Sequence, residues 1–100
     1  MSVKIYSNLG KERLTLDQID DMRHAIGFEP SSTRKGQQRY IFQRNYFASC
    51  QPDPDWEDLV VRGFAVRRDV PEECRVYYAV SPQGIRLLED IFRIKFEEGN

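Results

Sequence analysis

The sequence predicts a small α+β domain of three or four helices with a two- or three-stranded antiparallel unit, on three observations. Apolar residues recur at helical spacing in two stretches, one running from Leu16 to Ile26 and one from Ile85 onwards. Two short runs, 64–68 and 75–81, alternate apolar and polar residues on either side of a polar loop. Helix starts are marked at Thr15 and at Ser81-Pro82. With 100 residues, 40% apolar and 31% charged, the chain makes one domain that buries roughly two-thirds of its surface around a single core.

The first helix begins at Thr15 or just after it, with the threonine hydroxyl as N-cap acceptor and Asp17 in the first turn, where the helix dipole favours negative charge. Leu16, Ile19, Met22 and Ile26, with Ala25 beside them, form the inner face, and Asp17, Asp20, Asp21 and Arg23 the outer one. Gly27 ends the helix, and Pro30 with its small polar neighbours makes a loop. Upstream, residues 1–14 read as an N-terminal arm or an edge strand on the hairpin, since Val3 and Ile5 alternate with Lys4 and Tyr6. The domain proper is 15–98.

Residues 38–50 read as irregular or extended: Tyr40 and Phe42 alternate, but Tyr46 and Phe47 break the period. The second helix is better marked. Pro52 and Pro54 block its extension upstream, Asp53 or Asp55 caps it, and Trp56, Leu59 and Val60 give an inner stripe about two turns long before Gly63. In the hairpin that follows, Phe64 and Val66 share one face, as do Val76, Tyr78 and Val80, with 69–74 as the loop. The last helix starts at Ser81 with Pro82 preset at its first position. Its stripe, Ile85, Leu88, Phe92 and Phe96, widened by Leu87, Ile91 and Ile94, is broader than so small a core requires. Ile85, Leu88, Phe92 and Phe96 are therefore the candidates for contact with a protein partner or a second copy.

Composition excludes several classes. No apolar run approaches the ~20 residues that span a bilayer, and Met1–Gly10 has no apolar segment of the signal-peptide kind. Cys50 and Cys74 form no CxxC, and His24 is the only histidine, so no metal site is expected and the thiols read as reduced. His24 itself reads as a partly exposed residue at the end of the first helix. None of the common nucleophile, zinc or phosphate-loop motifs occurs, so no catalytic residue, cofactor or small-molecule substrate is expected.

The order helix, short helix, glycine, hairpin and Ser-Pro-capped helix is that of a winged helix-turn-helix. The stretch 56–68, followed by Tyr78-Ala79-Val80-Ser81-Pro82-Gln83-Gly84 and Leu87-Leu88, resembles the recognition-helix end, wing and next helix of MarR-type and PadR-type regulators. Met22–Gly27, Arg44-Asn45-Tyr46-Phe47 and Trp56-x-x-Leu59-Val60-x-x-Gly63-x-Ala65 resemble small proteins of phages and prophages of Gram-positive bacteria. The resemblance implies a winged-helix-like accessory protein working in the bacterial host cytoplasm; it transfers no catalytic residue. One departure is marked. A DNA-reading helix needs donors at its N-terminal end and basic residues along the phosphates, yet Asp53, Asp55, Glu57 and Asp58 stand there, and the wing tip carries Asp69, Glu72 and Glu73.

Charge is divided along the chain. Residues 1–50 hold eight basic and five acidic groups, net +3; residues 51–100 hold seven and eleven, net −4. Arg34, Lys35, Arg39 and Arg44, interleaved with Tyr40, Phe42, Tyr46 and Phe47, can neutralise phosphates and stack on unpaired bases. Arg62, Arg67, Arg68 and Arg75 form a second basic set at the end of the short helix and on the hairpin, able to flank a phosphate backbone or to pair with Glu72, Glu73 or Asp69. The acidic run 53–58 is explained by dipole complementation or offers a surface to a basic partner. Two readings stand: a nucleic-acid-binding domain in phage or host gene control, and a winged-helix scaffold reused as a protein-interaction module.

Overall fold

The computed structural model describes residues 4–6, 13–32 and 36–99. The chain is α+β. Strands β1 (Lys4–Tyr6) and β2 (Arg13–Thr15) pair antiparallel and lead into helix α1 (Leu16–Ala25). Strands β3 (Arg39–Phe42) and β4 (Phe47–Ser49) follow, then helix α2 (Pro54–Val61), the hairpin β5 (Ala65–Val70) and β6 (Arg75–Val80), helix α3 (Pro82–Phe92) and strand β7 (Lys95–Glu98). β4, β6 and β5 form an antiparallel sheet with β6 central, and β3 pairs parallel with β7. Residues 26–53 and two strands lie between α1 and α2, whereas a helix-turn-helix joins its helices by a turn of ~3–4 residues.

The helix starts follow the capping chemistry of the sequence. Thr15 Oγ1 accepts from Gln18 N–H at 3.0 Å and Gln18 Oε1 accepts from Thr15 N–H at 3.1 Å, a capping box. Asp53 Oδ1 accepts from the amides of Asp55 and Trp56. Ser81 Oγ accepts from Gly84 N–H at 3.1 Å and donates to the Gly63 carbonyl at 2.6 Å, so one hydroxyl caps α3 and ties it to the turn before β5. Gly63 occupies that turn at φ +85°, a conformation open to glycine at little cost.

Ile19, Met22 and Ala25 of α1 and its capping residue Ile26 meet Trp56 and Leu59 of α2, Tyr78 and Val80 of β6, and Leu87 and Leu88 of α3 in one core. Trp56 stacks on both Phe47 and Tyr78, ring centroids 5.5 Å from each, and those two rings also meet at 6.3 Å. A second aromatic group, Phe28 against Tyr40, Phe92 and Phe96 at 4.9–5.3 Å, fastens the β3–β7 pair to the end of α3.

Two expectations change and two become specific. Leu16 is half-exposed, and Gln18 takes its place inside: its amide donates to the Asp55 carbonyl and to Asp58 Oδ2 at 2.8 Å, joining α1 to α2. Residues 38–50 are extended with an irregular middle, as expected, and their two strands, β3 and β4, lie in different sheets. Among the described residues, Lys4–Tyr6 pairs with Arg13–Thr15 and not with β5 or β6; Val3 lies outside the described residues. Finally, α3 stops at Phe92. Arg93 adopts the left-handed conformation, φ 58°, and Phe96 belongs to a strand, its amide held by Glu89 Oε2 at 2.9 Å. Ile94 and Phe96 alternate with Lys95 and Glu97, so period two fits this stretch as well as period 3.6 does, and the open partner β3 decides.

Candidate nucleic-acid interface

Alternation along the three-stranded sheet sends Phe47, Tyr78, Val80 and Ala65 inward and leaves Ala48, Tyr77, Ala79, Val66 and Arg68 on the opposite face. In register, Tyr77 stands between Ala48 and Arg68, and Ala79 faces Val66. A shallow groove of about 580 Å³ runs over this outer face, lined by Asn45, Tyr46, Val66, Arg68, Tyr77 and Ala79, with Arg67 and Tyr78 at its margin. Val66 and Tyr46 are each 54% exposed.

The approach to β4 positions Tyr46. Asn45 Nδ2 donates to the Val80 carbonyl and Asn45 Oδ1 accepts from Val80 N–H, both at 2.8 Å, so a side-chain amide continues the ladder that the β4 backbone leaves off. The Tyr46 amide turns away to the Ala25 carbonyl at 3.2 Å. Arg44 donates to the His24 carbonyl at 2.7 Å, closing the C-terminal end of α1, and its guanidinium lies 5.9 Å from the Tyr46 ring centre. His24 is exposed. The Tyr46 and Tyr77 rings are 6.4 Å apart, and Arg68 stands 5.8 Å from the Tyr77 ring. Tyr77 donates to Glu73 at 2.8 Å; that bond raises its pKa, while nearby Arg75 and Arg68 pull it down.

The sheet places Arg68 and Arg75 of the second basic set on the strands beside Tyr77, and Arg44 of the first set lies next to Tyr46 from the end of α1. Among the described residues, none of the three has a carboxylate within ion-pair distance. The other candidates are placed differently. Arg67 points to the core side of β5, where Glu57 Oε2 and Asp69 Oδ1 each hold it at 2.7 Å, an ion-paired placement. Glu57 also accepts from the buried Tyr78 hydroxyl at 2.5 Å, and that hydroxyl accepts from the Asp53 amide. Burial, then the Glu57 bond, raises Tyr78 above its ordinary pKa. Arg39 lies on the β3–β7 pair and meets Glu97 at 3.3 Å. Arg34 and Lys35 lie outside the described residues.

The expected protein-contact stripe is mostly internal. Leu88 and Phe96 are 0% and 4% exposed and belong to the core, while Ile85 and Phe92 pack against it. The stripe is broad because α3 serves two partners, the three-stranded sheet and the β3–β7 pair.

The acidic run gains a member from α1. Carboxylate oxygens of Asp21, Asp53 and Asp55 lie within 4.8 Å of one another. Asp53 is the α2 cap and Asp55 sits in its first turn, positions the dipole explains. Burial first, then repulsion from Asp53 and Asp55, raises Asp21 to about 6; Asp55 is raised for the same kinds of reason.

Sequence reasoning missed Tyr77 and Val66 as surface residues of a site. The signal was present: once Val76, Tyr78 and Val80 are assigned inward, Tyr77 and Ala79 must face out. Compared with protein-family models, with curated proteins and with solved structures, the chain matches none. Among the described residues, no helix is long and apolar enough to cross a membrane.

Proposed function

We propose that this chain is a non-enzymatic, winged-helix-like domain that binds nucleic acid in phage or host gene control, through the outer face of its three-stranded sheet. The observation that carries the reading is the groove on the outer sheet face, where Arg68 lies against Tyr77 beside Tyr46, with Arg44 near the Tyr46 ring and Arg75 near Tyr77. Arginine neutralises phosphates and releases their counterions, and exposed aromatic rings offer π-faces to bases. The order α2, hairpin β5–β6, α3 supports the winged-helix resemblance. The acidic N-terminal end of α2 and the acidic hairpin tip argue against insertion of either into a DNA groove, so contact moves from the helix to the sheet.

The test is fluorescence anisotropy of labelled random-sequence oligonucleotides, duplex and single-stranded, at low and near-physiological salt. Binding that weakens with salt is expected, with the salt slope falling by about 1 for each of Arg44, Arg68 and Arg75 changed to alanine. No binding of either form at low salt overturns the reading and turns the search to a protein partner.

A further inference from the structure

We infer that the open edge of β5 pairs with the same edge of a second copy of this chain, joining two three-stranded sheets into one across a twofold axis at Arg68. The inference goes beyond the nucleic-acid reading and does not depend on it. Among the described residues β6 is the only strand beside β5. Val66, Arg67, Arg68 and Asp69 are exposed in succession, so both faces of the strand are open over these four residues.

The hairpin decides which main-chain groups that edge presents. The Ser81 amide donates to the Phe64 carbonyl at 3.0 Å. The register runs unbroken from Ala65 with Val80 to Val70 with Arg75, so Val66, Arg68 and Val70 are the residues whose N–H and C=O groups bond to β6. Arg67 and Asp69, with Ala65 at the covered end, turn theirs to the open edge. Such a row of main-chain groups is a template for another strand. The other strands offer less: β1, β2, β3 and β4 have three or four residues each, and β7 gives its Phe96 amide to Glu89 Oε2 at 2.9 Å.

Sheet edges are commonly guarded by proline, a bulge or charge. β5 has no proline and no bulge along 65–70, and its charges are self-complementary. Antiparallel pairing through the outward groups admits few registers. One centred on Arg67 sets that arginine against itself, and one centred on Asp69 sets the aspartate against itself. One centred on Val66 relies on Ala65, which is 3% exposed. The register centred on Arg68 sets Arg67 against Asp69 of the second copy and Asp69 against Arg67 of the second copy, two opposite-charge pairs directly across the new ladder. The Asp69 side chain is 56% exposed beside its own Arg67, which leaves it open to a second guanidinium. On the outer face this register sets Val66 against Val70 twice and leaves one like-charge pair, Arg68 against its copy, at the axis. Two opposite-charge and two apolar pairs outweigh one repulsion between exposed arginines.

The experiment is sedimentation velocity of the full chain, without nucleic acid, from about 1 µM to about 1 mM. A species of twice the 11.8 kDa chain mass is expected to grow with concentration. Arg67→Asp and Asp69→Arg each place like charges across the ladder of a homodimer and are expected to weaken it about tenfold or more; an equimolar mixture of the two restores opposite charges in both pairs and is expected to recover the parental affinity within about threefold. Thermal melting verifies each fold. On a Cys50→Ser, Cys74→Ser background, Arg68→Cys is expected to give a disulfide-linked dimer in a glutathione redox buffer, because residues facing each other in a non-hydrogen-bonded pair have Cα atoms about 4.5 Å apart. Arg67→Cys, which the register centred on Arg67 would link, is expected to stay monomeric on reducing-agent-free gels. A monomer at every concentration, folded charge variants that dimerise like the parent, a mixture that fails to recover, or linkage through Arg67→Cys in place of Arg68→Cys overturns the inference. With no nucleic acid present, each of these results leaves the proposed function untouched.

Discussion

The Asn45 side chain stands in for backbone against Val80, donating to its carbonyl and accepting from its amide at 2.8 Å each. One side-chain amide thereby holds the entry to β4 on the central strand and sets the position of Tyr46 beside Tyr77. Asn45→Ala removes both bonds and is expected to destabilise the fold by about 1–3 kcal/mol. Asn45→Asp is expected to be worse at neutral pH, because a carboxylate would face the Val80 carbonyl where a donor stood. Urea unfolding of the three proteins checks the order.

Gly84 gives a prediction whose sign separates propensity from packing. Alanine in a helix gains about 1 kcal/mol over glycine. A Cβ at Gly84 would nevertheless run into the Phe64 carbonyl oxygen and come within 2.7 Å of Val80 Cγ1, with backbone on one side and core on the other. Gly84→Ala is expected to lower stability by about 2 kcal/mol or more; a rise in melting temperature would show that α3 can move off the sheet.

Asp21 makes stability depend on pH. Its folded-state pKa of about 6 lies above the ordinary aspartate value, so the folded state binds the proton more tightly than the unfolded one. The stability this group contributes is complete below about pH 4 and is lost as pH rises through about 6. Asp21→Asn is expected to raise the melting temperature at pH 7.5 and to make no difference near pH 4. An equal gain at both values would remove the titration as its cause.

Adjacent arginines on β5 should behave as opposites. Arg68→Ala is expected to weaken nucleic-acid binding several-fold and leave thermal stability unchanged, since its only described contact is the Tyr77 ring. Arg67→Ala is expected to leave binding unchanged and to lower the melting temperature slightly, because it unties Glu57 and Asp69. Anisotropy and melting measured on both variants decide.

What the sequence disclosed was mostly local. Thr15, Asp53 and Ser81-Pro82 mark their helices because a cap is a matter of three or four consecutive residues, and the hairpin announces itself through alternation. The β3–β7 pair was hidden: Phe92, Ile94 and Phe96 satisfy a helical stripe as well as a strand, and only the distant Arg39–Phe42 segment resolves the choice. Gln18 was hidden because its burial depends on Asp55 and Asp58, forty residues on at the most. The candidate site shows the same division. Arg44 and Arg68 are visible as charges in the sequence, but setting them beside Tyr46 and Tyr77 requires the pairing of β4 with β6 and β6 with β5, a matter of register between distant strands.

The parallel pairing of β3 with β7 bears on how the chain comes into being. During synthesis Arg39–Phe42 emerges long before Lys95–Glu98, so it must wait through the making of α2, the hairpin and α3 with one apolar residue, Ile41, facing water and another, Phe42, lacking its final burial. Parallel strands far apart in sequence are slow to find each other, and an unpaired strand is open to wrong partners meanwhile. The charges of Arg39 and Gln38-flanked polar residues at its entry can discourage such pairing until the last strand arrives. The end of the domain is therefore the step that commits the whole: Phe28 and Tyr40 gain the ring of Phe96 only when β7 docks.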